Sequence, residues 1–171
     1  MTATAAAAET GTVADLERRV DELLAAHPPA TTDPKTFLEA RYDAGLAWVH
    51  FPVGAGGLGL SPKLQRIVDD RLAAAGAPAP DLLRNIIGMG MAAPTLATHG
   101  TPEQHQKYLR PLFAGEVWCQ LFSEPGAGSD LAGLSSRAVR DGDEWVVNGQ
   151  KVWTTLGHIA RYGLLVTRTD P

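Results

Sequence analysis

Residues 122–130 read Phe122-Ser-Glu-Pro-Gly-Ala-Gly-Ser-Asp130, and this stretch divides the chain into a helical part before it and a strand-rich part after it. Gly126, Ala127 and Gly128 leave backbone N–H groups clear of bulky side chains, and glycine accepts the positive φ that a tight cradle can demand. Ser129 adds a hydroxyl at the point where a phosphate oxygen could sit. Taken alone, the same residues also suit an ordinary surface turn between strands, because Pro-Gly and Gly-Ser are common turn dipeptides.

Upstream of this loop the hydrophobic period is helical. Val13, Leu16, Val20, Leu23 and Leu24 recur on one face, with Glu17, Arg18 and Arg19 on the other. That pattern predicts a helix over about 13–26, stopped by Pro28-Pro29. Residues 1–12 lack both the basic n-region and the long apolar run of a signal peptide and are expected to form a disordered tail. Asp33-Pro34 reads as an N-cap followed by proline at the first helical position, opening a second helix through Phe37, Leu38, Tyr42 and Leu46. A third runs over about 62–75 with Leu64, Ile67, Val68 and Leu72 inward. Residues 81–91 and 92–99 read as two helical pieces divided by Gly88 and Gly90, with Gly100 in the C′ position. Thr101-Pro-Glu-Gln104 is a capping box that opens a helix to about Phe113. Residues 13–116 are therefore expected to be an all-α bundle with short connections.

One segment in that bundle imitates something else. Gly54-Ala-Gly-Gly-Leu-Gly59 fits the dinucleotide pattern G-x-G-x-x-G, and residues 48–53 resemble the strand that should precede it. A true fingerprint launches a helix directly from its glycines and returns to a second parallel strand carrying an acidic residue. Here Ser61-Pro62 restarts the helix on its own cap, and Gly76-Ala-Pro-Ala-Pro80 follows it where a strand should stand. The dinucleotide reading is set aside on those grounds.

Downstream of Gly115 the period shortens. Residues 117–123 form an apolar run of strand length and residues 135–140 alternate. Asp141-Gly142 reads as a hairpin turn, 145–147 as a strand, Asn148-Gly149 as a second hairpin turn and 162–169 as a further strand. Helices followed by strands give an α+β chain: an N-terminal helical bundle (13–116), then the start of an antiparallel β-barrel-like domain (117–171).

Composition narrows the function classes. A net charge of −4 gives no basic footprint for nucleic acid and no polybasic patch for a membrane surface. No stretch reaches the roughly 18 apolar residues of a membrane-spanning helix. Cys119 stands alone, so no disulfide framework exists and a reducing cytoplasm is the expected compartment. His27, His50, His99, His105 and His158 include no i, i+4 pair and no cysteine cluster, so a metal site is not expected. Ser129 sits outside a G-x-S-x-G elbow, which argues against a serine hydrolase.

The loop acquires a chemical meaning together with the next motif. Trp145-Val-Val-Asn148-Gly149-Gln-Lys-Val-Trp153-Thr154-Thr155 follows some twenty residues later. The two segments, at this spacing, resemble the acyl-CoA dehydrogenase family, and the resemblance extends over nearly the whole chain. It departs from the family at Val53 and Gly54, where acidic residues usually precede a Gly-Gly-x-Gly loop.

The resemblance implies FAD as cofactor, an acyl-CoA thioester as substrate, and α,β-dehydrogenation with hydride transfer to the flavin, in fatty acid or lipid catabolism. It implies an electron-transfer flavoprotein-like acceptor and a homo- or hetero-oligomer. By the same resemblance Gln120, Leu121, Phe122 and Ser123 face the pyrimidine side of the flavin. Gly128 and Ser129 meet its pyrophosphate, and Ser129 also borders the acyl-CoA channel. Trp153 forms an aromatic wall, and the hydroxyls of Thr154 and Thr155 stand beside the ring, Thr155 next to N5. A hydroxyl near N5 can stabilise the charge that accumulates there, and an indole wall excludes water. On spacing alone Trp153 also suits a plain core aromatic. No residue of the chain matches the family's carboxylate base. Glu124 and Asp130 are expected to satisfy loop backbone N–H groups instead. The chain is thus expected to be inactive alone, either as a fragment or with a partner chain supplying the C-terminal domain.

Overall fold

The computed structural model describes the backbone of residues 3–170 and the side chains from residue 12 onward. It divides into two compact units at the Glu116–Val117 bond.

In the first unit, α1 spans Ala3–Ala26, α2 Pro34–Asp43 and α3 Gln65–Ala74, the last entered through a 3₁₀ turn at Pro62–Leu64. The α1 backbone starts well before the apolar stripe, in the segment expected as a tail, where a run of four alanines supplies the highest helix propensity of any residue. The stripe behaves as its period demands. Leu16, Val20 and Leu23 of α1 are buried with Phe37, Leu46, Val49, Val68 and Leu72, and each such side chain contributes about 1.5–3 kcal/mol on burial. Asp33 caps α2 by accepting from the Thr36 N–H at 3.0 Å.

Charged pairs then set how the helices register. Arg71 of α3 reaches Asp21 at 2.5 Å and Glu17 at 3.4 Å on α1. Arg41 of α2, only 5% exposed, donates to the Leu46 carbonyl and to Asp69 of α3, with its guanidinium over the Phe113 ring.

The rest of this unit holds α4 (Ala93–His99), α5 (Pro102–Gln104) and α6 (Arg110–Phe113). Both arms of the expected capping box form: Gln104 N–H to Thr101 Oγ1 at 3.3 Å, and Thr101 N–H to Gln104 Oε1 at 2.9 Å. Two π-helical turns, Gly88–Ala92 and His105–Leu109, replace the regular helix that the sequence suggests. Gly100 is not the left-handed cap expected of it, since its φ is −76°. Glycine is needed there because a Cβ would lie 2.5 Å from the Leu96 carbonyl oxygen.

In the second unit, β1 (Trp118–Leu121) pairs in parallel with β4 (Tyr162–Leu165), and β2 (Arg137–Asp141) pairs antiparallel with β3 (Glu144–Asn148). The β2–β3 turn is Gly142-Asp143, with Gly142 at φ +60°, as a two-residue hairpin requires. The expected hairpin at Asn148-Gly149 does not form. Gly149 follows Asn148, the partner of Arg137, and runs beside Ser136 so closely that a Cβ on it would lie 2.0 Å from Ser136 Oγ, which is the reason for glycine. After β4 the chain runs to β2, where Ala138 N–H donates to the Arg168 carbonyl and Arg168 N–H to that of Ser136. The fold is α+β, helices then strands. Among the described residues the strands make two two-stranded sheets and no closed barrel.

Candidate functional site

The glycine loop begins where β1 ends. Glu124 and Ala127 exchange backbone hydrogen bonds (N–H of 124 to O of 127 at 2.8 Å, the reverse at 3.1 Å), closing a tight turn. Ala127 points inward and is buried, which leaves Gly126, Gly128 and Ser129 exposed on the outer limb. Neither Gly126 nor Gly128 has a positive φ, and a Cβ on either would meet nothing within 4 Å. The chain's own fold therefore has no use for glycine at these two places. What remains is room for a ligand to approach the backbone.

Glu124 anchors the turn from beneath. Its Oε2 accepts from the Ser135 N–H at 2.7 Å and the Ser135 hydroxyl at 2.8 Å; its Oε1 accepts from the Ser136 N–H at 2.9 Å and from Lys151 Nζ at 2.8 Å. The Lys151 ammonium, with the donors of Ser136 and Ser135, holds this carboxyl well below the usual carboxylate range. Glu124 thus satisfies backbone donors as expected, though those of the chain entering β2 rather than of its own turn. Asp130 is exposed.

Lys151 is the residue that sequence reasoning missed. Its Nζ also donates to the Phe122 carbonyl at 2.9 Å, and the next residue's N–H, that of Val152, donates to the Ser123 carbonyl at 2.9 Å. These bonds lay the second motif along the first, so the structure brings Phe122 and Ser123 together with the segment carrying Trp153, Thr154 and Thr155. A signal was present: Glu124 is the only charged residue in 117–129, and Lys151 the only Lys, Arg, Asp or Glu in 145–159. Gln120 and Leu121 are held on β1 opposite Leu164 and Leu165, and Ser129 stands on the exposed limb of the turn.

Trp153 is not a core aromatic. It is 88% exposed and its backbone sits in the left-handed region at φ +59°. Such a conformation costs a non-glycine residue about 1–2 kcal/mol, and persists only where neighbouring bonds impose it. Here they are the Val152 bond before it and a Thr155 N–H to Trp153 carbonyl bond at 2.9 Å after it. Thr154 is half-buried and Thr155 exposed. An open glycine limb, free hydroxyl-bearing residues and an indole held out at a cost fit a flat, phosphate-bearing cofactor such as FAD.

Comparison with known proteins shows the family. Residues 7–116 match the acyl-CoA dehydrogenase N-terminal domain, and residues 119–171 match the acyl-CoA dehydrogenase middle domain. The chain belongs to the acyl-CoA dehydrogenase family. It is 51% identical over 130 residues to acyl-CoA dehydrogenase FadE34 of Mycobacterium tuberculosis, covering 75% of this chain and 18% of that protein. Among solved structures it resembles a probable acyl-CoA dehydrogenase from Mycobacterium abscessus, with a TM-score of 0.56 and 30% identity over all of this chain and 46% of the other. It also resembles the ChsE4-ChsE5 complex from Mycobacterium tuberculosis, with a TM-score of 0.52 and 34% identity, covering 92% of this chain and 43% of that one. The chain therefore spans less than half the length of each of these family members.

Within the described residues, no helix is long and apolar enough to cross a membrane.

Proposed function

We propose that this chain forms the flavin-facing and thioester-facing part of an acyl-CoA dehydrogenase. Bound FAD supplies the hydride acceptor for α,β-dehydrogenation of an acyl-CoA. In this reading the limb Gly126–Ser129 offers backbone N–H groups and the Ser129 hydroxyl to the pyrophosphate, and Ser129 borders the thioester channel. The edge Gln120–Ser123 lines the ring, Trp153 shields it from water, and Thr155 with Thr154 offers a hydroxyl beside it. Glu124 has its acceptor sites engaged by Ser135, Ser136 and Lys151, so it is a structural anchor and not the proton-abstracting base. The base is assigned to family sequence that this chain does not cover, and reoxidation to an electron-transfer flavoprotein-like acceptor.

The observation that carries this reading is Trp153: an indole held in a costly backbone conformation and left in solvent, on a segment bonded to Phe122, Ser123 and Glu124 at the start of a loop whose glycines the fold does not need. The test is a titration of the chain with FAD followed by flavin fluorescence. Saturable but weak binding is expected, since only part of the family's flavin shell is present. Ser129→Ala with Thr155→Val should weaken it by at least about tenfold, the worth of one or two lost hydrogen bonds. Equal binding by parent and double variant overturns the assignment. A second reading, a non-catalytic flavin- or acyl-CoA-binding subunit, draws on the similarity to a complex of two differently named chains. Co-purification with a second chain that completes activity would favour it.

A further inference from the structure

Lys151 is an unusual lysine. Its side chain is 8% exposed and that of its partner Glu124 is 5% exposed, so both charges have left water. Isolated charges are not buried without strong compensation, and here two of the three ammonium donors are placed, on the Phe122 carbonyl and Glu124 Oε1, while the carboxylate accepts from Ser135 and Ser136 as well. A residue that only filled space could be apolar. A donor reaching a backbone carbonyl of one segment and an anchored carboxylate at once fixes the register of two segments against each other. The segment it fixes carries, two residues later, a tryptophan that is 88% exposed. Packing can hold little of that ring in place, so the position of its Cα–Cβ stem is set by the backbone on either side.

We infer that Lys151, clasped to Glu124 and the Phe122 carbonyl, is the positioning residue for Trp153: it holds the exposed indole where a flat ligand on the glycine loop would meet it. The inference rests on the flavin-facing reading of that wall. Glu124 is the fixed post, tied to the chain entering β2, and Lys151 is the arm that brings the Trp153 backbone to it. The left-handed turn at Trp153 is then imposed by this clasp, the Val152 N–H bond to the Ser123 carbonyl and the Thr155 bond together.

The experiment uses the full chain with Lys151→Met, Lys151→Arg, Glu124→Gln, Trp153→Phe and the Lys151→Met/Trp153→Phe pair. Far-UV circular dichroism checks folding. Iodide quenching of Trp153 emission is taken as the difference between each background and its Trp153→Phe counterpart, and FAD binding is read from flavin fluorescence. Lys151→Met should change the Trp153 quenching constant by about twofold or more and weaken FAD binding about tenfold, with Lys151→Arg recovering most of both. In the Trp153→Phe background, Lys151→Met should weaken FAD binding by less than about twofold further, because it acts through the indole. Unchanged quenching in a folded Lys151→Met chain overturns the inference, and so does full additivity in the double variant, which would make the clasp merely structural. Should Lys151→Met fail to fold, Glu124→Gln and Lys151→Arg carry the same comparison. If the parent binds no FAD, the flavin-facing reading fails, and the quenching measurement still decides the clasp.

Discussion

The chain has two glycine-rich loops, and they are glycine-rich for opposite reasons. In the helical unit, Gly54, Gly56 and Gly59 have φ of +88°, +79° and +67°, and a Cβ on Gly57 would lie 2.2 Å from the Phe51 carbonyl oxygen and 2.4 Å from that of Trp48. The loop folds back on its own backbone, with Leu58 N–H bonded to Val49 and Gly59 N–H to Phe51. Its glycines are spent on the protein itself. The 126–128 loop shows neither positive φ nor crowding. The lesson is that a glycine motif signals a ligand when the fold can be built without it, and a structural turn when it cannot.

Substitution can break this contrast most directly at Gly57. Gly57→Ala puts a methyl group into two backbone carbonyls, which cannot step aside as a side chain end would. A loss of about 3 kcal/mol or more is expected in urea denaturation of the helical signal, beyond the ordinary range for overpacking. A loss below about 1 kcal/mol would show that the loop relaxes cheaply and that the contrast is overstated.

Next comes the post beneath the open loop. Glu124 has its pKa depressed in the folded chain, mainly by Lys151, so its contribution is present above the unfolded carboxylate value of about 4.3 and fades as pH falls through the lower folded value. Glu124→Gln should therefore lower the melting temperature at pH 7, and the gap to the parent should narrow once the pH drops below about 4. A gap that is constant from pH 7 to pH 3 would mean that the charge is not what matters.

A smaller effect, of the opposite sign in stability and function, is expected at the indole. Trp153→Gly removes a strained left-handed residue that buries little, at the cost of a more flexible unfolded chain. Stability should stay within about 1 kcal/mol of the parent or rise, while FAD binding falls. A destabilisation well beyond that range would show Trp153 to be a structural residue. The smallest stability change belongs to Gly128→Ala, which meets open space: within about 0.5 kcal/mol, the ordinary range for a surface substitution, but with weaker FAD binding. Equal FAD affinity would remove the loop from the cofactor site.

Much of the helical unit was legible because its signals are local. The α1 stripe, the Asp33 cap and the Thr101/Gln104 box each rest on residues within one or two turns of each other. The two π turns were not, since nothing in a 3.6-residue period announces a wider turn. In the strand unit, turn dipeptides misled at Asn148-Gly149, where the glycine answers a close approach to Ser136, a residue distant in sequence. The candidate site residues stood out as a motif, and Glu124 could be read as an anchor. Its partner was missed, because the Lys151 bond joins positions 27 residues apart and charge pairing carries no period, which leaves the isolation of the two charges in their stretches as the one signal. Trp153 in isolation reads as core, and its exposure and backbone conformation show otherwise.

The parallel pairing of β1 with β4 also has a consequence for how this unit comes into being. Trp118 waits for Tyr162, 44 residues later in the chain, whereas β2 and β3 need only close a two-residue turn. A hairpin forms in about 1–10 μs, but translation at about 5–20 residues per second delivers β4 some 2–9 s after β1. During that interval the apolar strand Trp118–Leu121 leaves the ribosome with its backbone groups unmatched, although the hairpin is already able to form. Pulse-labelled amide exchange on stalled chains should find β2 and β3 protected while β1 is still open, so this strand is the point at which a nascent chain has most need of a chaperone.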